Sequence, residues 1–431
     1  MKQLLKTIIF LLIINQLDAQ QFYVSTTGHN SNNGTEQKPV ATLQKAQALV
    51  KEFKKAKPGY TGEIVVTVMP GTYELTSSLS FNEGDAGNEN LQVIWKAAAK
   101  NKVILSGGKN INGRLFKKVT NPSILARLEK NAVENVLEVS LTKLGITNFG
   151  AHQSYGHGQP VIPAPLELYY NQDPLILAHY PNNGAVKIGK VLDKGSVPRI
   201  GDKSNRGGLF NYTDNRQSKW VGQKDIWIQG TFNYGFADDY INIANIDTTK
   251  KEIKLASPHI YGIANGRDFQ EYIAYNILEE LDSPGEWWLD NKTGMLYIWP
   301  PTNNNSSNSA GKADIAAANI TVSILETPIV SITNAKHLTI EGFTIEAGRG
   351  MGIYLEGGSN NTIAGCTVRN LGTSGIFMGQ GAEAKQKDMS IDDFDGTPTS
   401  GIIGSLQNYL YKNTSWNRNA GFNQTIISCN L

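Results

Sequence analysis

Between residues 334 and 381 apolar and polar positions alternate in short runs, and the runs return at a fixed interval. Thr339, Ile340, Gly342, Phe343, Thr344 and Ile345 fall on Thr362, Ile363, Gly365, Cys366, Thr367 and Val368, each pair 23 positions apart. The match continues without a gap from Gly352, Ile353, Tyr354, Leu355 and Gly358 to Gly375, Ile376, Phe377, Met378 and Gly381. Each copy holds two alternating runs around a glycine turn and then a third run, which reads as strand, turn, strand, turn, strand. A fixed period of this size marks stacked supersecondary units. Three short strands per period, wound so that like residues overlie one another, make a right-handed parallel β-helix. Parallel strands lie about 4.8 Å apart along such a stack. Residues one period apart then form inward aliphatic ladders or outward Asn and Thr ladders.

The rest of the chain is read against this pattern. Residues 1–19 pair Lys2 and Lys6 with an apolar core from Thr7 to Ile14 and end in Leu17-Asp18-Ala19, the layout of an export signal. That core is too short to span a bilayer comfortably, so a cleaved signal and a periplasmic or extracellular protein are expected. Residues 20–114 carry an N-terminal cap and the first rungs. Thr42 is the N-cap of a helix with apolar residues at 43, 46, 49 and 50 on one face. This helix is placed over the open end of the solenoid, where unpaired strand edges need cover. Ile64 to Val68, Gly71 to Tyr73, Leu79 to Phe81, Val93 to Trp95 and Val103 to Leu105 read as rungs. The rhythm is lost over residues 115–319, which read as an inserted β domain. Within it lie a hairpin over Leu166 to Ala178 and strands at Trp227-Ile228, Tyr240 to Ile246 and Glu252 to Leu255. Rungs are expected again over 320–431, starting from the alternation of Ile320, Val322 and Ile324. The sequence stops inside a strand-like run, Ile426 to Leu431, which predicts a fragment of a longer protein. The expected fold class is therefore all-β, a parallel β-helix with a capping helix and an inserted β domain.

Composition narrows the partners. Forty Lys and Arg against 38 Asp and Glu leave no cationic excess, so neither nucleic acid nor insertion into a membrane is expected. Low charge with 43 Gly and 17 Tyr suits a β-rich protein with neutral, hydroxyl-rich ligands, and a monomer is expected. The two cysteines, Cys366 and Cys429, end similar Asn-x-Thr-Ile-x-x-Cys-like segments and read as free thiols in one inward stack. No Cys or His spacing suggests zinc, and no cofactor is predicted.

The sequence resembles the secreted bacterial β-helix carbohydrate enzymes around glycoside hydrolase family 141, with family 120 more distant. The resemblance rests on Tyr23-Val24-Ser25, Asn33-Gly34-Thr35, Pro70 to Tyr73, Ala178 to Asn182, and most specifically on Leu278 through Asp290 with its Glu279-Glu280-Leu281-Asp282 and Trp287-Trp288 runs. It implies a pectate-lyase-like solenoid acting on a plant cell-wall polysaccharide or oligosaccharide, such as pectin side chains or xylan. In that group the catalytic acids lie on rungs towards the C-terminal part of the helix, so no catalytic pair carries over.

Glycoside hydrolysis requires two carboxylates across the scissile bond, one of them kept protonated by its surroundings. Asp392, Asp393 and Asp395 sit on a long polar stretch and are the catalytic candidates, with solvated loop acids as the plain alternative. Glu341 and Glu346 flank the repeat strands and Glu356 sits in a turn; as outward acids with no stacked copy they are catalytic or solvated, and solvated is the favoured reading. Asp238 and Asp239 follow the aromatic run Phe232, Tyr234, Phe236 and are candidates for a sugar-binding rim, or for a turn. Trp287 and Trp288 face opposite sides if they share a strand, leaving one for the core and one for a sugar ring. Glu280 and Glu286 are further substrate-binding candidates. Two other classes stay open. A polysaccharide lyase would use a Lys or Arg base, here Lys336 or Arg349, with Ca²⁺ on a uronate. A non-catalytic polysaccharide-binding or adhesion solenoid is the other.

Overall fold

A computed structural model describes residues 19–157, 162–266, 270–302, 315–379 and 421–431. Most of the export signal, the polar tract from 303 and the candidate acids Asp392, Asp393 and Asp395 lie outside the described residues. So do the partner of Gly358 in the repeat, Gly381, and most of the run from Asn408 to Phe422.

The described rungs build three parallel sheets. The first stacks Gln20–Val24, Gly62–Val68, Leu91–Ala97, Leu338–Glu341, Thr362–Ala364 and Thr425–Ile427 in that order. The second stacks Gly71–Glu74, Val103–Ser106, Thr344–Gly348 and Thr367–Leu371; the third stacks Leu79–Phe81, Val330–Thr333, Ile353–Glu356 and Ile376–Met378. The repeat pairs in register: Ile340 lies beside Ile363, Ile345 beside Val368, and Tyr354 beside Phe377. One inward ladder runs unbroken from Phe22 through Val66, Trp95, Ile340 and Ile363 to Ile426. All of its members but the last are buried. Such burial of apolar surface stabilises each rung against its neighbours. Gly342 and Gly365 recur because the bend between the first and second sheets needs left-handed backbone, with φ of +76° and +59°.

Cys366 and Cys429 occupy successive positions of one stack, their thiols 3.7 and 3.6 Å from the carbonyls of Ile340 and Ile363. Both are free, and burial pushes the Cys366 thiol up to about 12. Glu346 is not simply solvated. Its counterpart one period on, Arg369, lies beside it in register and donates to its carboxylate at 2.8 Å, a cross-rung ion pair. The helix Leu43–Ala56 buries Leu43, Ala46 and Val50 against the first strand, and Thr42 caps it by accepting from the Lys45 amide at 3.2 Å.

The solenoid is interrupted within one turn. After Val103–Ser106 the chain leaves through Gly108–Asn112 and returns through Asn319–Ser323, and these two strands pair antiparallel. Val93 of the outgoing rung then lies directly beside Leu338 of the next, so the stack closes across the whole insertion. The alternating run of Ile320 and Val322 is thus not a rung. It belongs to an antiparallel sheet with Gly108–Asn112 and Leu168–Tyr170, and parallel rungs resume at Val330. Alternation reports a half-buried strand in either pairing sense, which is why the two look alike in sequence.

The insertion adds two further antiparallel-rich sheets. Five strands include Glu286–Asp290 and Met295–Ile298, and eight include Trp227–Thr231, Asp238–Asp247 and Glu271–Tyr275. The expected hairpin turns earlier than the full run suggests. Asn171 and Gln172, with φ of +51° and +74°, join Leu168–Tyr170 to Asp173–Pro174, after which Ile176–Leu177 departs to pair parallel with Glu286 and Trp287.

Candidate functional site

The segment Leu166 to Tyr170 sorts its side chains by parity. Leu166, Leu168 and Tyr170 enter the core shared with Ile320 and Val322, which leaves Glu167 and Tyr169 on the other face. Tyr169 donates its hydroxyl to Glu167 Oε2 at 2.7 Å and also reaches the Asn370 carbonyl of the solenoid at 3.1 Å. Burial raises the Glu167 pKa above the usual carboxylate range, against the opposing pull of Tyr169 and the positive Arg349. Arg349 is itself buried on the solenoid side and donates to the Ala164 carbonyl at 2.6 Å and to Glu326 at 2.9 Å.

The eight-stranded sheet supplies the facing wall. Ile228, Ile241 and Ala274 turn into its own core. Alternation therefore turns Trp227, Gln229, Tyr240 and Tyr275 the other way, and the pairing of Gln229 with Tyr240 and of Trp227 with Tyr275 puts them on one patch. Trp227 and Tyr240 stack at 4.9 Å with planes 10° apart, and Tyr155 stacks on the same Tyr240 ring at 4.6 Å. The Tyr155 phenol is pushed up to about 12, first by partial burial and then by Tyr275, Asp238 and Glu167. One ring thus feels both carboxylates.

Between these walls lies a cavity of about 840 Å³. Glu167, Asp238, Tyr240, Tyr275 and Trp287 line it, and the solenoid turn Gly372 to Ser374 closes one side. Among the described residues lining it there is no Lys or Arg. Its two histidines, His152 and His157, are held below the ordinary histidine range by burial. The cavity therefore combines an aromatic wall, a half-buried carboxyl at Glu167 and a solvent-facing carboxylate at Asp238, with Arg349 behind the Ala164 side and no Lys or Arg among the described lining residues.

The sequence-predicted residues separate at this point. Trp287 and Asp238 line the cavity, with the Trp287 indole N–H donating to the Leu175 carbonyl at 3.2 Å. Trp288 does face the opposite side, but both tryptophans are buried because their sheet is covered on both faces. Trp288 packs on Tyr297 under the Arg127 guanidinium, away from the cavity. Asp239 is buried and accepts from the Tyr240 amide at 2.9 Å. Glu280 is engaged inside the insertion, accepting from Arg216 Nε and Nη2 at 2.8 and 2.7 Å and from the Trp220 indole at 2.6 Å. Glu286 staples a turn, taking the Asp282 and Ser283 amides at 2.9 Å each, with His179 Nδ1 2.9 Å from its other oxygen. Neither Glu280 nor Glu286 lines the cavity. Sequence reasoning passed over Glu167, whose signal is an acid between two leucines in a strand that otherwise reads as core. It also passed over Tyr155 and Tyr240, which meet only through long-range antiparallel pairing.

A family model and one solved structure agree with the fold. The family described as "Right handed beta helix region" matches residues 328–430. A solved structure named "Glycoside hydrolase" superposes with a TM-score of 0.61 at 15% identity, covering 85% of this chain and 69% of that chain. A second, titled "The complex structure of XylC with xylose", has a TM-score of 0.38 at 11% identity and covers 95% of this chain and 50% of that chain. No curated protein matches the sequence. The chain is a right-handed parallel β-helix carrying an inserted β domain. Among the described residues no helix is long and apolar enough to cross a membrane, and no group of three or more His, Cys, Asp or Glu is clustered as a metal site.

Proposed function

We propose that the protein is a glycoside hydrolase acting on plant cell-wall polysaccharide, with xylan or pectin side chains as its substrate class, and that its sugar-binding cleft is the cavity between the insertion and the solenoid. One observation carries this reading: two carboxyl groups in opposed environments share a concave aromatic cavity. Glu167, whose pKa burial raises, suits the acid that protonates the leaving oxygen. Asp238, open to solvent, suits the second carboxylate, acting as nucleophile or on water. Tyr155, 43% exposed, offers ring surface to the apolar face of a sugar, with the buried Tyr240 ring stacked behind it. The likeness to a structure named glycoside hydrolase supports the same reading. A lyase is disfavoured by the cavity lining. Arg349 is committed to Ala164 and Glu326, and Lys336 is exposed on the solenoid.

The test is release of reducing ends from xylan, arabinan and galactan. Glu167→Gln and Asp238→Asn should each lower turnover by roughly 10²–10⁴-fold. The wild-type rate should fall as pH rises through the raised Glu167 pKa, because the acid loses its proton there, and Glu167→Gln should abolish that alkaline limb. Wild-type turnover in both variants would sink the assignment. Ultraviolet absorbance from an unsaturated uronate would replace it with a lyase.

A further inference from the structure

We infer that the loop tip carrying Tyr234 and Phe236 is an outer sugar subsite, which extends the cavity so that it takes a chain of neutral sugar residues. The inference rests on the hydrolase reading and adds the kind of substrate. Among the described residues the aromatic side chains that stand exposed are Tyr155, Tyr234, Phe236 and Phe422. Tyr155 and Phe236 line the cavity, and Tyr234 stacks on Phe236 with ring centres 5.4 Å apart and planes 14° apart. Phe236 is 66% exposed and Tyr234 42%. Apolar surface concentrated at one mouth and left in water marks a recognition surface.

The tip is also held in place. It joins strands Trp227–Thr231 and Asp238–Asp247, and its first and last residues, Phe232 and Ala237, are fully buried. Asn233 donates to the Tyr261 carbonyl at 2.8 Å, Gln270 donates to the Phe232 carbonyl at 2.7 Å, and His259 Nε2 sits 3.1 Å from the Ala237 carbonyl. Tyr261 packs edge-on against both exposed rings, at 5.1 and 6.1 Å. A pair of flat rings fixed this way meets a ligand with little ordering cost. Sugars suit it because a pyranose presents C–H groups on its faces and hydroxyls around its edge. Neutral sugars suit it because the described residues lining the cavity beneath include two carboxyl groups and no Lys or Arg to balance a uronate.

The experiment is titration calorimetry with disaccharides and hexasaccharides of xylose, arabinose and galactose, with galacturonate oligomers as the anionic set. For the neutral sugar that binds, the hexasaccharide should bind the wild type more tightly than the disaccharide by about tenfold. Tyr234→Ala and Phe236→Ala should bring that ratio close to one, while Tyr234→Phe and Phe236→Tyr, which keep the rings, should preserve it. A ratio unchanged in both alanine variants overturns the outer subsite and leaves the hydrolase reading standing. Tightest binding by the galacturonate oligomers overturns the neutral-chain assignment. If no set binds and no polysaccharide is cut, the hydrolase reading fails first and the subsite with it.

Discussion

The solenoid and its insertion are stabilised by different means. In the solenoid, residues one period apart overlie each other, so each rung repeats the contacts of the last: Ile340 on Ile363, Ile345 on Val368. Its buried polar groups bond between adjacent rungs, as Asn361 does to the Leu338 amide and the Ala335 carbonyl and Glu346 to Arg369. The insertion repeats nothing. Its cores mix aliphatic residues with large aromatic ones such as Phe210, Trp220 and Tyr272, and it carries a charged network in which Arg216 reaches the buried Glu280, Asp282 and Glu129. The difference separates support from chemistry. Stacked aliphatic ladders supply a rigid floor, while the irregular sheets can place unlike groups such as Glu167 and Asp238 around one cavity.

The largest test of this contrast is Glu280→Ala. Glu280 has no exposed side-chain surface, and its removal takes the nearest carboxylate from Arg216, which keeps Asp282 and Glu129, and leaves the Trp220 indole N–H without its acceptor. Stability to urea should fall by about 3–5 kcal/mol, the cost of breaking a buried ion pair by removing one partner. A Glu280→Leu/Arg216→Met double variant should recover part of that loss, since an apolar pair of similar volume leaves only the Trp220 indole N–H without an acceptor. Equal losses in the single and double variants would mean that the network is not the insertion's chief polar strut.

Next in size is Ile340→Ala, in the middle of the ladder. The cavity it leaves between Trp95 and Ile363 should cost about 2–4 kcal/mol. Because each rung touches only its neighbours, amide exchange should quicken in strands Leu91–Ala97 and Thr362–Ala364 more than in the insertion. Uniform acceleration across both regions would show that the two unfold as one body.

Legibility in the sequence divides along the same line. The period of 23 is visible because a solenoid writes its tertiary contacts as a local repeat, so Ile340 beside Ile363 can be read without coordinates. The rungs from Ile64 to Leu105 are legible through their alternation, and the helix through Thr42 and its apolar face. The antiparallel return at Ile320 and Val322 was not, since alternation carries no direction of pairing. The site was legible only in pieces. Trp287 and Asp238 stand out as residue types, yet Glu280 and Glu286 stand out equally and are consumed by Arg216 and by a turn. What distinguishes them is which face of which sheet each occupies. That depends on partners far along the chain, as with Tyr240 opposite Gln229 and Glu167 beside Ser323.

The smallest test concerns the end of the solenoid, where repetition cannot supply the missing neighbour. Thr42 Oγ1 accepts the Lys45 amide at 3.2 Å, and Asn30 Oδ1 in turn takes the Thr42 amide at 3.1 Å, so the capping helix is fastened at its first turn. Thr42→Ala should cost about 1 kcal/mol and Thr42→Ser almost nothing, because serine keeps the accepting oxygen. If the helix covers the first rung, the alanine variant should also speed amide exchange in Gln20–Val24, the strand under it, while Thr362–Ala364 stays unchanged. Exchange that quickens in the helix alone would make it an attachment to the solenoid and not its lid.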